Sequence, residues 1–109
     1  MNQWSLVGTV LRPPTTRVEG DGHQSTDFTL AVDEHSYGAG HKPYVLFVPC
    51  TSWGKSAEAC SLLNAVDLVS VQGKLTWRKH AAQNSQTHSQ LVVSVREVPV
   101  LEAAAEEPV

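Results

Sequence analysis

The stretch that decides the fold is residues 44–78, YVLFVPCTSWGKSAEACSLLNAVDLVSVQGKLTWR. Its two ends, Tyr44–Trp53 and Asp67–Arg78, alternate apolar and polar residues with the period of two that is typical of strands. The part between them, Lys55–Val66, changes to a helical period, with an apolar stripe at Ala59, Leu62, Leu63 and Val66. The pattern therefore predicts a strand, a helix of about three turns and a second strand.

Strands are also predicted on both sides of this unit. The chain has fifteen valines and no isoleucine, and valine-rich segments between Gly, Pro, Ser and Asn favour strands over helices. The predicted flanking strands are Gln3–Arg12, Asp27–Asp33 and Leu91–Val100. Polar loops are predicted at 35–43 and 81–89, a loop or irregular hairpin at 15–26, and a frayed acidic tail at 102–109.

The order of these elements indicates the architecture. Five strands with one helix between the third and fourth are the order of an OB fold, an all-β, five-stranded Greek-key barrel that binds nucleic acids or sugars on one face. We expect this domain to span residues 1–101, followed by a short disordered tail. The residues expected to face the interior are Phe28, Leu30, Val32, Leu46, Val48, Cys50, Val69, Val71, Leu75, Leu91, Val93 and Val95. Gly73 within the fourth strand predicts a bend or bulge.

The composition is that of an ordinary globular domain. The chain has 109 residues, of which 41% are hydrophobic and 17% charged. No apolar run approaches the length of about 18 residues needed to span a bilayer. The first residues lack the features of an export signal, so we expect a cytoplasmic protein in which Cys50 and Cys60 are reduced.

Charge is distributed unevenly along the chain. The net charge is −3, which by itself argues against a nucleic-acid partner. Residues 42–80, however, carry five Lys or Arg against two Asp or Glu, so the middle of the chain is basic.

Aromatic and basic residues are interleaved in this basic region. Phe47 and Trp53 share one face of the third strand, opposite its apolar row, and Lys74 and Arg78 share the polar face of the fourth. Other residues of the same chemistry lie nearby: Tyr37 in a Gly-rich loop, and Trp77 and His80 on either side of Arg78 and Lys79. Such a surface suits single-stranded nucleic acid, because bases stack on rings while Lys and Arg follow the phosphates.

Structural roles for the rings remain open at this stage. Phe47 or Trp53 alone could pack in a core or a subunit interface. Trp77 has the parity of Val69 and Val71 and fits the core as well as a contact, and Trp4 fits a core or an interface.

The patterns of a catalytic or metal site are absent from the sequence. The five histidines make no metal-binding spacing, and no serine lies in a GxSxG motif. Asp33 and Glu34 are adjacent and would point to opposite faces of a strand, which does not suit acid–base work. We therefore expect no enzymatic activity, no metal and no cofactor.

Four segments resemble the bacterial single-stranded DNA-binding protein (SSB) family. They are the opening Asn2–Val10, the strand Phe28–Val32, the run Trp53-Gly54-Lys55-Ser56-Ala57-Glu58, and Val69–Leu75 with its V-x-V-x-G-x-L pattern. Together they span roughly residues 2–101 in the family's order. The resemblance implies an OB fold without catalysis, acting on single-stranded DNA as a homo-oligomer, more often a tetramer than a dimer, in the bacterial cytoplasm and nucleoid.

The resemblance also implies roles for individual residues. The family's stacking aromatics fall on Tyr37, Phe47, Trp53 and His80, and its phosphate-tracking bases fall on Lys55, Lys74, Arg78 and Lys79. Phe47 and His80 stand where the family usually has Trp, and Pro49 stands where it often has a basic residue. The chain ends at Glu106-Glu107-Pro108-Val109, without the family's long tail and acidic Pro-Phe tip, so recruitment of partners through that tip is not expected.

The leading hypothesis is a sequence-tolerant single-stranded DNA-binding protein in replication, recombination or repair. One alternative is a replication-restart component similar to primosomal replication protein N, with replication or primosome proteins as partners. Another is an OB domain that binds proteins and has weak affinity for nucleic acid.

Overall fold

A computed structural model of the chain describes residues 1–18, 20–34, 44–81 and 87–104, with side chains left undescribed at 79–81 and 87–88. The elements are β1 (Trp4–Val10), β2 (Thr15–Val18), β3 (Gln24–Glu34), β4 (Tyr44–Trp53), α1 (Lys55–Ser61), β5 (Leu68–Ala81), β6 (Thr87–Glu97) and β7 (Val100–Glu102). Among the described residues, no helix has the length and apolar character needed to cross a membrane.

Five of these strands close into a barrel. The order β1-β3-β4-β6-β5 returns to its start because β1 also pairs with β5, from Trp4 opposite Gly73 to Thr9 opposite Leu68. The β4–β6 pairing is parallel and short, at Cys50–Val93 and Thr51–Ser94. β2 and β7 are short additions to β3 and β5, so α1 lies between the third and fourth barrel strands. The predicted OB-fold class is confirmed.

The barrel interior is filled by the alternating residues of the strands. Phe28, Leu30 and Val32 of β3 are all buried, as predicted. The cluster is completed by Val10, Cys50, Cys60, Leu63, Val69, Val71, Val93 and Val95, with Val48 and Leu75 packed against it.

Two residues predicted to face the interior do not. Leu46 and Leu91 are each 45% exposed. β4 and β6 pair only at Cys50–Val93 and Thr51–Ser94, so both leucines lie beyond the part of the wall that closes the barrel. Alternation continues there, but the face that carries Leu46 and Leu91 is only partly covered.

The helix is shorter than predicted, and its buried face is different. It ends at Ser61, after which Leu62 and Leu63 donate to carbonyl oxygens three residues earlier, as in a tightening last turn. Ala59 is exposed, and Leu62 and Val66 are 78% and 64% exposed, so the predicted stripe is wrong at these three positions and confirmed only at Leu63. The buried positions are Ala57, Cys60 and Leu63. Cys60 is therefore a small core residue.

The junction between β4 and α1 depends on Gly54. This residue has φ of 60° and ψ of −128°, a conformation that side chains with a Cβ rarely adopt. Its N–H donates to the carbonyl oxygen of Gln24, and its own carbonyl accepts from Ala57. Trp53, the last residue of β4, is therefore held immediately before a fixed turn.

The segment predicted to be a frayed tail begins with regular structure. Val100 pairs with Val69 and Glu102 with Leu68, and the Ala104 N–H donates to a carboxylate oxygen of buried Asp67. The prediction is therefore wrong for 102–104, while 105–109 lie outside the described residues.

The loop predicted at 81–89 is also shorter than expected. The β5–β6 ladder continues through Lys79–Ser89 and His80–His88 to Ala81–Thr87, which leaves only 82–86 outside the described structure. The irregular hairpin at 15–26 is present, formed by β2 and the start of β3. The segment 35–43, predicted to be a loop, lies outside the described residues.

Candidate nucleic-acid interface

The barrel surface formed by β3, β4, β6 and β5 carries the predicted site. On β4 the residues that alternate with buried Cys50 are Phe47, Pro49, Thr51 and Trp53. On β6 the residues that alternate with buried Val93 and Val95 are Val92, Ser94 and Arg96. We call this surface the outer face.

Two aromatic rings stand on the outer face, as predicted. Phe47 is 58% exposed and Trp53 is 48% exposed. The strand rises about 3.3 Å per residue, so their six-residue separation places the two positions about 20 Å apart. A core role for either ring within this chain is excluded by its exposure.

A cavity of about 380 Å³ lies beside Trp53. Its lining includes Gln3, Trp53, Ser56, Lys74, Ser94 and Arg96. Lys74 and Arg96 are both exposed cations. The structure therefore brings predicted Trp53 and Lys74 to one cavity, together with Arg96.

Sequence reasoning did not identify Arg96. The sequence does show that Arg96 lies two residues after Ser94, and therefore on the same face of the last strand. Only the parallel register between β4 and β6, which pairs Thr51 with Ser94, shows that this position lies near Trp53. Lys55, another predicted phosphate contact, is exposed in an adjoining groove that also includes Arg96 and Glu97.

A second cavity, of about 660 Å³, lies beside Phe47. Its lining includes Arg12, Pro13, Asp27, Phe47, Pro49 and Arg78. Predicted residues Phe47 and Arg78 therefore share this cavity. Arg12 and Asp27 were not identified from the sequence.

Asp27 is the centre of a polar cluster on the outer face. Its Oδ1 accepts hydrogen bonds from Arg78 Nη1 and, at 2.7 Å, from Thr51 Oγ1. Its Oδ2 accepts one from Arg17 Nη2 at 2.7 Å. The side chains of Arg78 and Asp27 are 16% and 26% exposed. Arg78 is thus held by a carboxylate, unlike exposed Lys74.

The remaining predicted residues are placed as follows. Trp77 alternates in step with the core residues of β5 but is 64% exposed. It pairs with Leu91 in the part of the β5–β6 ladder that extends beyond the barrel. Trp4 is 45% exposed, so it is not a core residue of the single chain. Lys79 and His80 belong to β5, but their side chains are not among those described. Tyr37 lies outside the described residues.

The two cysteines are buried thiols. Burial, with a smaller effect of nearby Cys60, raises the pKa of Cys50 to about 12. Burial also raises the pKa of Cys60, partly offset by a hydrogen bond with Ser52. Both groups are protonated at neutral pH, which makes them poor nucleophiles. In the part of the chain that the structure describes, no cluster of three or more His, Cys, Asp or Glu could hold a metal ion.

Comparison with known proteins identifies similar sequences. The model of the Single-strand binding protein family matches residues 1–101, which include β1 to β6, α1 and the first two residues of β7. A curated relative, Single-stranded DNA-binding protein 1 of Clostridium acetobutylicum, is 30% identical over 82 residues. The aligned region covers 73% of this chain and 74% of that protein.

Proposed function

Because the chain belongs to the single-strand binding protein family, we propose that it binds single-stranded DNA with little dependence on base sequence. Its membership confirms the resemblance noted in the sequence. The relative from Clostridium acetobutylicum carries single-stranded DNA binding in its name. The proposed activity needs no catalytic group.

The observation that carries the proposal is the exposure of Phe47 and Trp53 on one face of the barrel. Both rings are about half exposed, although the face beneath them is well packed. Aromatic stacking contributes about 1–3 kcal/mol per base and tolerates any base, since every base has a π face. In a duplex those faces are already stacked on neighbouring bases, so single strands are the better ligand.

Phosphate contacts supply the second part of the mechanism. Lys74, Arg96 and Lys55 are exposed near Trp53, where they can follow the backbone of a bound strand. Each neutralised phosphate of a single strand adds about −0.7 to the slope of log K against log salt. Three to five contacts would give a slope of about −2 to −3.5, a moderate salt dependence.

We further propose that the protein acts as a homo-oligomer, a tetramer rather than a dimer. Trp4–Gly8 of β1 pair with β5 on one side, and β1 pairs with β3 only at Thr9 and Val10. Within the described residues, the other edge of Trp4–Gly8 therefore has no strand partner. An unpaired edge is a template for pairing with another chain.

The cellular setting follows from the ligand. Single strands are exposed during replication, recombination and repair, so we propose that the protein acts there, in the bacterial cytoplasm and on nucleoid DNA. Replication or primosome proteins would then be its partners.

The experiment that tests the proposal is a binding titration on protein whose oligomeric mass is known from light scattering. Long oligothymidine, the corresponding duplex and an RNA of matched length are compared at low and moderate salt. We expect tight binding of the single strand and weak binding of the duplex. Equal affinity for both, or no binding at low salt, would overturn the proposed function.

A further inference from the structure

We propose that Arg96 binds a phosphate of the single strand, so that Trp53, Lys74 and Arg96 form a subsite for one nucleotide. This inference rests on the proposed function and deepens it by adding a residue that the sequence pattern did not indicate. It is carried by the position of Arg96, by the contact that holds it and by the charge of the cavity.

An irregularity in the β5–β6 ladder sets the position of Arg96. Gly73 pairs with Val95 and Gln72 with Glu97, which makes Arg96 the extra residue of a β-bulge. A bulge bends its strand and re-aims a side chain, and such features are frequent next to functional sites. A Cβ on Gly73 would collide with the carbonyl oxygen of Ser94, so the close approach of the two strands requires glycine here.

A hydrogen bond ties the bulge to the junction that holds Trp53. Ser56 Oγ, in the first turn of α1, donates to the carbonyl oxygen of Arg96 at 3.2 Å. Ser56 follows Trp53 by three residues, across the fixed turn at Gly54. The backbone of Arg96 and the backbone at Trp53 are therefore joined through the same short segment.

The N-terminal segment is fixed against the same cavity. Asn2 Nδ2 donates to the carbonyl oxygen of Leu75 at 2.7 Å, and the Leu75 N–H donates to Asn2 Oδ1 at 3.0 Å. This two-way contact positions Asn2 and Gln3, which line the cavity. This part of the cavity wall is thus held by contacts within the chain.

The charge and size of the cavity suit a nucleotide. Its lining residues include two cations, Lys74 and Arg96, and no acid. Its volume of about 380 Å³ falls within the range of small-molecule sites. The cavity beside Phe47 differs, because Arg78 there is held by Asp27. Glu97 does not line the cavity beside Trp53; it lines the adjoining groove, which Lys55 and Arg96 also line. The cations that are least neutralised by nearby carboxylates therefore lie beside Trp53, where a phosphate can bind them.

The test compares Arg96→Ala with the unchanged protein in titrations of oligothymidine and oligodeoxyadenosine over a series of salt concentrations. Arg96 is exposed, so the fold and the thermal midpoint should be retained. We expect the affinity for both oligomers to fall about three- to tenfold at low salt. The slope of log K against log salt should become shallower by about 0.7, the contribution of one phosphate contact.

Two control variants separate direct contact from overall charge. Arg96→Lys keeps a cation and should retain most of the affinity. Adding Glu102→Gln to Arg96→Ala restores the net charge from β7, where Glu102 pairs with Leu68 at the start of β5 and lines neither cavity, and should not restore binding. Unchanged affinity and slope in Arg96→Ala, or rescue by Glu102→Gln, would overturn the inference and leave the proposed function standing. Failure of the unchanged protein to bind either oligomer would overturn both.

Discussion

Arg78 on β5 donates a hydrogen bond to a carboxylate oxygen of Asp27 on β3, joining two residues 51 positions apart across the outer face. Asp27 is also held by Arg17 and Thr51. The cluster places a negative charge in the middle of a surface that otherwise suits nucleic acid. Its effect is to divide the cations of the face into those held by a carboxylate and those exposed to a ligand.

Arg78 should therefore contribute to stability. Replacing it with alanine leaves part-buried Asp27 with one fewer charged donor, so we expect Arg78→Ala to lower the free energy of unfolding by about 1–3 kcal/mol. Chemical denaturation measures this directly. Arg12→Ala removes the same charge from the same cavity at an exposed position and should change stability by less than about 0.5 kcal/mol. Equal and small changes in the free energy of unfolding for both variants would show that the contact between Asp27 and Arg78 does not contribute to stability.

Lys74 should behave in the opposite way. It is exposed beside Trp53, so Lys74→Ala should leave the free energy of unfolding unchanged. The affinity for oligomers of every base composition should fall by the same factor, and the salt slope should become shallower by about 0.7. Titrations of oligothymidine, oligodeoxyadenosine and a mixed sequence measure this. Loss of affinity for one sequence alone would indicate readout of base edges and contradict the proposed mechanism.

Trp53 should contribute through stacking. Trp53→Ala removes a ring that is 48% exposed, so we expect binding to weaken by about 1–3 kcal/mol while the fold is retained. Trp53→Phe, which keeps an aromatic face, should recover most of the loss. Circular dichroism and light scattering accompany the titrations. Loss of folding or of assembly in Trp53→Ala would show that the ring has a structural role and would contradict the prediction.

The buried thiol of Cys50 predicts a dependence of stability on alkaline pH. Its pKa is raised from 9.0 to about 12 in the folded chain, so between these values the folded state keeps a proton that the unfolded state has lost. The contribution of Cys50 to stability is therefore fully present below pH 9.0 and is lost as the pH rises towards about 12. One such group contributes a slope of about 1.4 kcal/mol per pH unit.

Cys50→Ala tests this sign. Removing the thiol also removes buried volume, so the level of stability will fall at every pH. The informative quantity is the slope between pH 9 and 12, which should be shallower in Cys50→Ala than in the unchanged protein. A parallel decline in both proteins would contradict the assignment.

The core and the outer rings could be predicted from the sequence because they depend on local periodicity. Alternation alone identifies Phe28, Leu30 and Val32 as interior, and places Phe47 and Trp53 on one face of their strand. The glycine at position 73 correctly indicated an irregularity in the ladder.

Features that depend on register or on the extent of the barrel could not be predicted in this way. Leu46 and Leu91 continue the alternation past the point where β4 and β6 pair, so they lie on the predicted face of the strand but are only partly covered. The contact between Asp27 and Arg78 follows from the order of four strands, β3-β4-β6-β5. The bulge partner of Gly73, and hence the place of Arg96, is set by the β5–β6 register.

The end of the helix could not be predicted from local periodicity either. Its apolar residues continue to Val66, which extends the helical period, but the chain needs a turn to bring Asp67 to the start of β5. Val66 adopts a φ of 62°, and its N–H donates to the carbonyl oxygen of Val10. This contact with β1 holds a turn at Val66, where the local pattern predicts that the helix continues.

The central claim is that bases of a single strand stack on the outer face, and a protein with Trp53 as its sole indole tests this most directly. The chain has three tryptophans, so Trp4→Phe combined with Trp77→Phe leaves Trp53 as the reporter and keeps an aromatic ring at each replaced position. We predict strong quenching of its fluorescence by oligothymidine and little by duplex DNA of the same length. Binding of oligothymidine with no change in this fluorescence would contradict the account, because the strand would then be held elsewhere on the protein.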